Sequence, residues 1–438
     1  MGGPVSGSND MSEAPEPTGA PAALRQPGSL PYPELASGTD TIPQVKHIVV
    51  LMMENHSYDD HLGMLDRAGA DGFTLGSDGK PTESNPYPDG KRQHVFRMPT
   101  TCQLSGKPSQ TWTASHIQVS GNNTGFVKSE SGPVAMGYWE KADLPFYYSL
   151  ASTFPIADRY FCSLLGQTFP NRRYLMAATS LGMVNDGVPD PLHYPANGTI
   201  FDRLHAAGIS FADYYQLEDA ILPAPTMALF PDLLVRYPGH LHRVDDFFDD
   251  AKAGTLPGFS LVEPEYSKTS EEDPQNIAYG EQFAASVIDA VMAGPGWMNT
   301  VLIWTFDEHG GYYDHVVPPA ALAPDDIPPD ASVAYTGFRQ YGFRVPCAIV
   351  SPWARPDYVS HQVFDHASIC ALIEHKWNLP AMTYRDANAN SMLDMLDLTR
   401  PAFENPPKLA PPLLETDPGA IACDTTGPGT IPPPGSVS

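Results

Sequence analysis

The chain has 438 residues, 42% of them hydrophobic and only 17% charged, enough to bury the core of one large domain or two ordinary ones. A formal charge of −26 disfavours nucleic acid and anionic membrane surfaces as partners, although a cation bound in a cleft can invert the local sign. No apolar run reaches the roughly 18 residues of a membrane-spanning helix, so no transmembrane segment is expected.

Residues 1–42 are rich in Pro, Gly, Ser and Ala, lack periodicity, and carry no basic start or apolar stretch of a secretory signal. They read as a disordered leader. The protein is then cytosolic as written, or exported by a signal outside this chain. A single domain is expected over 43–402, followed by a Pro/Gly-rich tail over 403–438. Five scattered cysteines (Cys102, Cys162, Cys347, Cys370, Cys423) with no CxxC pair read as buried free thiols.

Short apolar runs at 45–53 (VKHIVVLMM), 301–306 (VLIWTF) and 345–352 (VPCAIVSP) have the character of buried parallel strands. Residues 70–100 are turn-rich and suggest a hairpin excursion. FDRLHAAG at 201–208 reads as a helix stopped by Gly208 and followed by a strand. Helical faces recur over 279–294 (Phe283, Val287, Ile288, Val291) and 366–379 (Ile369, Leu372, Ile373, Trp377). Alternating strands and helices predict an α/β sandwich, a central mostly parallel sheet between helices.

Chemistry in such sheets gathers beyond the carboxyl ends of the strands. Two strands end in polar residues of catalytic type, one in Glu54-Asn55 and the other in Asp307-Glu308. Three carboxylates and an amide brought together repel unless a cation lies among them. The oxygen donors suit one hard divalent ion, Ca²⁺, Mg²⁺ or Mn²⁺, with Zn²⁺ not excluded. Gly166-Gln167-Thr168-Phe169-Pro170-Asn171-Arg172 reads as a helix start, with Pro170 in its first turn. Free N–H groups at such an end seat phosphate, and a hydroxyl there can attack phosphorus; alternatively, Thr168 is simply the N-cap. His116, His315 and His366 are candidates for proton transfer or phosphate contact among 14 histidines.

These segments together resemble the bacterial phosphoesterase family of phospholipase C and acid phosphatase type. The resemblance runs from Val49–Asp59 through Met136–Trp139, Asp143–Tyr147, Asp158–Arg172 and Asp307–Val316 to Arg344–Pro346, Ser351–Trp353 and Asp365–Ser368. It implies an alkaline phosphatase-like fold, with one metal ion held by Glu54, Asn55, Asp307, Glu308 and Thr168. Thr168, where some relatives have serine, is then the nucleophile, and His116 contacts the phosphoryl group. His315 is a second candidate for protonating the leaving alcohol, and Asn171, His366 and Asp273 are expected on the substrate side. The implied reaction is hydrolysis through a phospho-threonine, most simply of phospholipid diesters, with monoesters as the alternative. The chain departs from the family in two places: His56 stands where many relatives have arginine, and Glu272-Asp273-Pro274 stands where Glu-His-Pro is common. The second change leaves two points open, which group protonates the leaving alcohol and whether the protein is instead a non-catalytic phosphate or headgroup binder. A sulfatase reading lacks its Cys-x-Pro-x-Arg segment.

Overall fold

A computed structural model describes residues 23–102, 106–216, 226–414, 423 and 430–436. Eight strands form the central sheet: β1 (His47–Met53), β2 (Ile156–Ala157), β3 (Phe211–Tyr215), β4 (Leu241–Arg243), β5 (Phe259–Val262), β6 (Thr300–Phe306), β7 (Cys347–Val350) and β8 (Val359–Ser360). Their order is β8-β2-β7-β6-β1-β5-β3-β4. β6, β1, β5, β3 and β4 run parallel to one another, whereas β7 lies antiparallel to both β6 and β2. The sheet is thus mixed, and the run at 345–352, expected to be parallel, is its reversed strand. A strand buried on both faces is uniformly apolar in either direction, so composition could not fix its polarity.

The helices that position the site are α1 (Tyr58–Leu62), α2 (Trp112–Gln118), α3 (Thr168–Ala177), α4 (Ile200–Ala206), α5 (Ile277–Ala293) and α6 (His366–Trp377). α4 starts at a capping box between Thr199 and Asp202 and ends before Gly208, whose φ of 71° takes the left-handed turn expected of it. The apolar stripes of α5 and α6 are buried as their spacing predicts, α5 against β1 and β6 and α6 against α3. The hairpin excursion is present as Ser84–Pro86 paired with Arg92–His94.

The leader, expected to be disordered, and the Pro/Gly-rich tail are both tied down where they are described. Residues 23–42 hydrogen-bond to the end of α6, including Gly28 N–H to Ala381 O at 2.8 Å and Thr41 N–H to Lys376 O at 2.9 Å, and Ile42 enters the core. Residues 1–22 lie outside the described residues. In the tail, Leu409 is buried, Ala410 N–H donates to Ser149 Oγ at 2.9 Å, and Ile431 packs on the core. Cys102 and Cys423 form a disulfide across 321 residues of sequence, correcting the free-thiol expectation for that pair; Cys162, Cys347 and Cys370 are free and buried.

Candidate functional site: an acidic cleft facing a helix start

β1 and β6 lie side by side with Met53 opposite Phe306, so Glu54-Asn55 and Asp307-Glu308 leave the sheet at one edge. All four are at most 2% exposed. Asn55 takes a left-handed turn (φ 67°), which asparagine tolerates, and its N–H donates to Asp307 Oδ1 at 3.2 Å. The same oxygen accepts Glu308 N–H at 2.7 Å, and Glu308 Oε2 accepts Gly310 N–H at 2.8 Å. A Cβ on Gly310 would lie 1.9 Å from the Asn55 carbonyl, so the close crossing of these two chain segments requires glycine.

Burial and then repulsion from Asp307 hold the carboxyls of Glu54 and Glu308 well above the usual range. Burial also raises Asp307, with Arg172 opposing the rise. Glu54 Oε2 and Glu308 Oε1 have no hydrogen-bond partner. Asn55 Oδ1 accepts only a long 3.4 Å bond from Gln110. Buried acid oxygens without donors cost free energy unless paired or bound to metal, so this all-oxygen set fits a hard divalent cation. The three acids are not drawn together tightly. Among the described residues, sets of three ligand atoms within 4.8 Å of one another occur elsewhere, at His56/His61/Glu271 and Asp59/Asp314/His315. Protein groups already engage most of these ligand atoms, although His61 Nδ1 has no hydrogen-bond partner. Arg344 bonds Asp59 at 2.8 Å and Asp314 at 2.9 Å. His56, the residue that replaces the family's arginine, stacks on His61 at 4.1 Å and joins Asp60 (2.6 Å) to the Glu271 carbonyl (3.1 Å).

α3 reaches this edge through Arg172, one turn after Thr168. Thr168 is its first helical residue and is 6% exposed; Gln167, in extended conformation, takes the N-cap position without a side-chain capping bond, so Thr168 is not the N-cap. Four residues on, and therefore on the same face, Arg172 is fully buried. Its Nε donates to Asp307 Oδ2 at 3.0 Å, Nη1 to Glu263 Oε2 at 3.2 Å, and Nη2 lies 3.6 Å from Glu54 Oε1. One guanidinium thus clamps α3 to the ends of β1, β5 and β6. At the helix start, Asp186 Oδ1 accepts Phe169 N–H at 2.7 Å, and its Oδ2 accepts from Gln167 Nε2 at 3.0 Å. A carboxylate therefore already occupies part of the expected phosphate seat.

The candidate histidines diverge. His116 on α2 has Nδ1 2.7 Å from the Trp112 carbonyl, so that nitrogen carries the proton; Nε2 is without a partner. Burial lowers its pKa to about 4, leaving a neutral ring stacked 4.1 Å from Tyr335. His315 faces Asp59 Oδ2 with Nδ1 (2.7 Å) and Asp71 Oδ1 with Nε2 (3.3 Å). Burial opposes its charge, but Asp59 outweighs burial and holds the pKa up at about 9, so the ring is an imidazolium committed to that network. His366 is fully buried: Nε2 donates to the Asp307 carbonyl at 2.7 Å and Nδ1 accepts from Tyr160 O–H at 3.0 Å. It supports a site loop rather than facing substrate. Asn171 is likewise closed off, its amide bonded to Ser163, Leu164, Gly166 and Gln167 backbone groups, so it shapes the turn before Thr168. Asp273 is 5% exposed, accepts Tyr312 O–H at 2.6 Å on Oδ2, leaves Oδ1 unpartnered, and is pushed by burial to about 7.

Sequence reasoning did not single out Arg172, Glu263 or Asp186. Arg172 stood inside a quoted motif, Glu263 follows strand β5 as Glu54 follows β1, and Asp186 lies in an Asn-Asp-Gly turn with no distinguishing signal.

Residues 45–380 match the Phosphoesterase family. Non-specific phospholipase C1 of Arabidopsis thaliana is 33% identical over 390 residues, covering 79% of this chain and 70% of its own. Phospholipase C A of Mycobacterium tuberculosis is 29% identical over 465 residues, covering 92% and 87%. A solved alkaline phosphatase superfamily protein from Vibrio parahaemolyticus aligns with a TM-score of 0.35 at 16% identity, over 75% of this chain and 77% of that one. With a family match over most of the folded chain, and phospholipases C among its relatives, the protein belongs to the Phosphoesterase family and is a phosphoric ester hydrolase.

Proposed function

We propose that the chain hydrolyses phosphodiesters of the phospholipase C type, with Thr168 as nucleophile and a phospho-threonine intermediate. The observation that carries this reading is the Arg172 clamp, which ties the helix starting at Thr168 to Asp307 and Glu54. A divalent cation held by Glu54, Asn55, Asp307, Glu308 and Thr168 would supply the positive charge that the buried acids lack and would favour ionisation of the hydroxyl.

The protein groups then divide the work. The first-turn N–H groups of α3 receive phosphoryl oxygens once Asp186 yields its place. Thr168 Oγ1 attacks phosphorus and the alcohol departs. The arriving negative charge raises the proton affinity of His116 Nε2, which takes up a proton and then donates it in a hydrogen bond to a phosphoryl oxygen. Asp273, with a pKa near 7, carries a proton for the leaving alcohol at neutral pH, which His315, locked between Asp59 and Asp71, is poorly placed to do. Water then cleaves the phospho-threonine. The phospholipid substrate is supported by the relatives named phospholipase C.

Thr168→Ala and Asp307→Ala should each lower turnover of a nitrophenyl phosphodiester at least about 10³-fold, some 4 kcal/mol of barrier. Acid quenching of the wild type should trap phosphate on the peptide containing Thr168. Near wild-type rates in both variants, with folding verified by circular dichroism, would remove the mechanism.

A further inference from the structure

Beside the catalytic cleft lie two loops, residues 181–196 and 325–336, whose composition the reaction does not explain. They expose Val188 (91%), Leu192 (88%), Val333 (52%), Tyr335 (45%) and Ile327 (42%). Val188, Leu192 and Ile327 line one open cavity of about 650 Å³. Val333 lines a second of about 250 Å³, together with Trp112 and Gln167. Val184, Asn185 and Asp330 border both, so the two cavities share a wall. The apolar surface reaches the site itself. Gln167 immediately precedes Thr168, Asp186 of the first loop bonds the start of α3, and Tyr335 of the second stacks on His116.

Charge selects what could cover this rim. The two loops carry Asp186, Asp190, Asp325, Asp326 and Asp330 and not one lysine or arginine. An anionic bilayer or an acidic protein meets no lysine or arginine on these loops, Arg173 in the wall of the larger cavity being only 2% exposed, and it faces a molecule of net charge −26. A bilayer of choline or ethanolamine phospholipids presents cationic groups outermost, matching the aspartates, with an apolar zone below that accepts Val, Leu, Ile and Tyr side chains.

We infer that loops 181–196 and 325–336 form a docking surface for zwitterionic phospholipid bilayers, seating the catalytic mouth on the membrane. The inference deepens the phospholipase reading and rests on it for the choice of lipid. No long amphipathic helix is needed, because the apolar side chains are delivered by loops that the fold already anchors through Asp186 and Trp112, whose Nε1–H donates to Val333 O at 2.9 Å.

The test compares wild type with V188D/L192D, two positions so exposed that folding is spared. Co-sedimentation with phosphatidylcholine and with phosphatidylglycerol vesicles is measured in chelator, and hydrolysis is measured on phosphatidylcholine vesicles and on soluble nitrophenyl phosphorylcholine. Wild type should sediment with phosphatidylcholine and much less with phosphatidylglycerol. The double variant should lose vesicle binding and vesicle hydrolysis at least tenfold while its soluble-ester rate stays within twofold. Equal binding by the two proteins, or wild-type preference for phosphatidylglycerol, overturns the docking surface even if the soluble ester is cleaved. Vesicle binding that depends on Val188 and Leu192 without cleavage of either substrate upholds the surface and removes the catalytic reading instead.

Discussion

Replacing Arg172 with methionine keeps side-chain length and removes the charge that faces Glu54, Asp307 and Glu263 at 3.6, 3.0 and 3.2 Å. Removing one partner of a buried ion pair and leaving the others uncompensated costs about 3–5 kcal/mol. With an unfolding entropy near 2.1 cal/mol/K per residue, a chain of this size should lose about 3–5 °C in Tm. That loss should appear in full in chelator. Because Glu54 and Asp307 are also expected to meet a cation, saturating divalent metal should offset part of their repulsion and narrow the gap between variant and wild type. Catalysis should not recover in parallel, since the tie between α3 and the strand ends is gone. Differential scanning calorimetry with and without chelator, alongside nitrophenyl phosphodiester turnover, measures both effects. A Tm loss that is the same with and without metal would refute the idea that these acids converge on one cation. An unchanged Tm in chelator would refute the clamp itself.

Three further outcomes follow from groups around the cleft. Asp273, with a pKa near 7, should give kcat for poor leaving groups an alkaline limb that falls as pH rises through about 7; Asp273→Asn should lower kcat and abolish that limb, while activated nitrophenyl esters are little affected. His315 is raised to about 9 in the folded state from an ordinary value near 6.5, so the stability it contributes is complete below about 6.5 and is lost as pH rises through 9. Its ceiling is about 3 kcal/mol, reduced because the side chain is 22% exposed, and urea denaturation of His315→Gln across pH 6–10 should show that slope missing. The Cys102–Cys423 link closes a loop of some 320 residues, and C102S/C423S should be destabilised by about 2–5 kcal/mol, with non-reducing peptide maps of wild type showing the joined pair.

The sheet and its acidic edge were legible because burial on both faces leaves an uninterrupted apolar run, and an acid at the end of such a run stands out. The start of α3 was legible from Pro170, and the end of α4 from Gly208. Other features leave no local trace. Arginine in a helix usually means a solvated face, yet in α3 Arg172 and Arg173 are both buried because Asp307, Glu263 and the carbonyls of Ser180 and Leu229 wait for them from distant segments. Pro-rich stretches without periodicity read as disorder, but residues 23–42 and 403–414 are held by backbone bonds and scattered apolar contacts that periodicity does not detect. Cysteine spacing cannot pair residues 321 positions apart, least of all when both lie in segments read as loop and tail.

The residue-by-residue outcome has a different cause. The protonation and orientation of each candidate side chain depend on what packs around it. His366 sits at the right strand end, yet its two nitrogens are consumed by Asp307 O and Tyr160. His315 follows the most distinctive motif, yet Asp59 and Asp71 claim both of its nitrogens. Asp273 shows the converse. Its letter suggests a carboxylate unable to replace a histidine at neutral pH. Burial with Tyr312 as its single bonded partner moves the group to about 7, beside histidine's ordinary 6.5, so a proton is available where the sequence seemed to have lost one. The substitution therefore exchanges a cationic acid for a neutral one of similar strength. Its ionised form adds to the negative charge of the acidic cleft, and an anionic phosphodiester should consequently bind best on the acid side of that pKa.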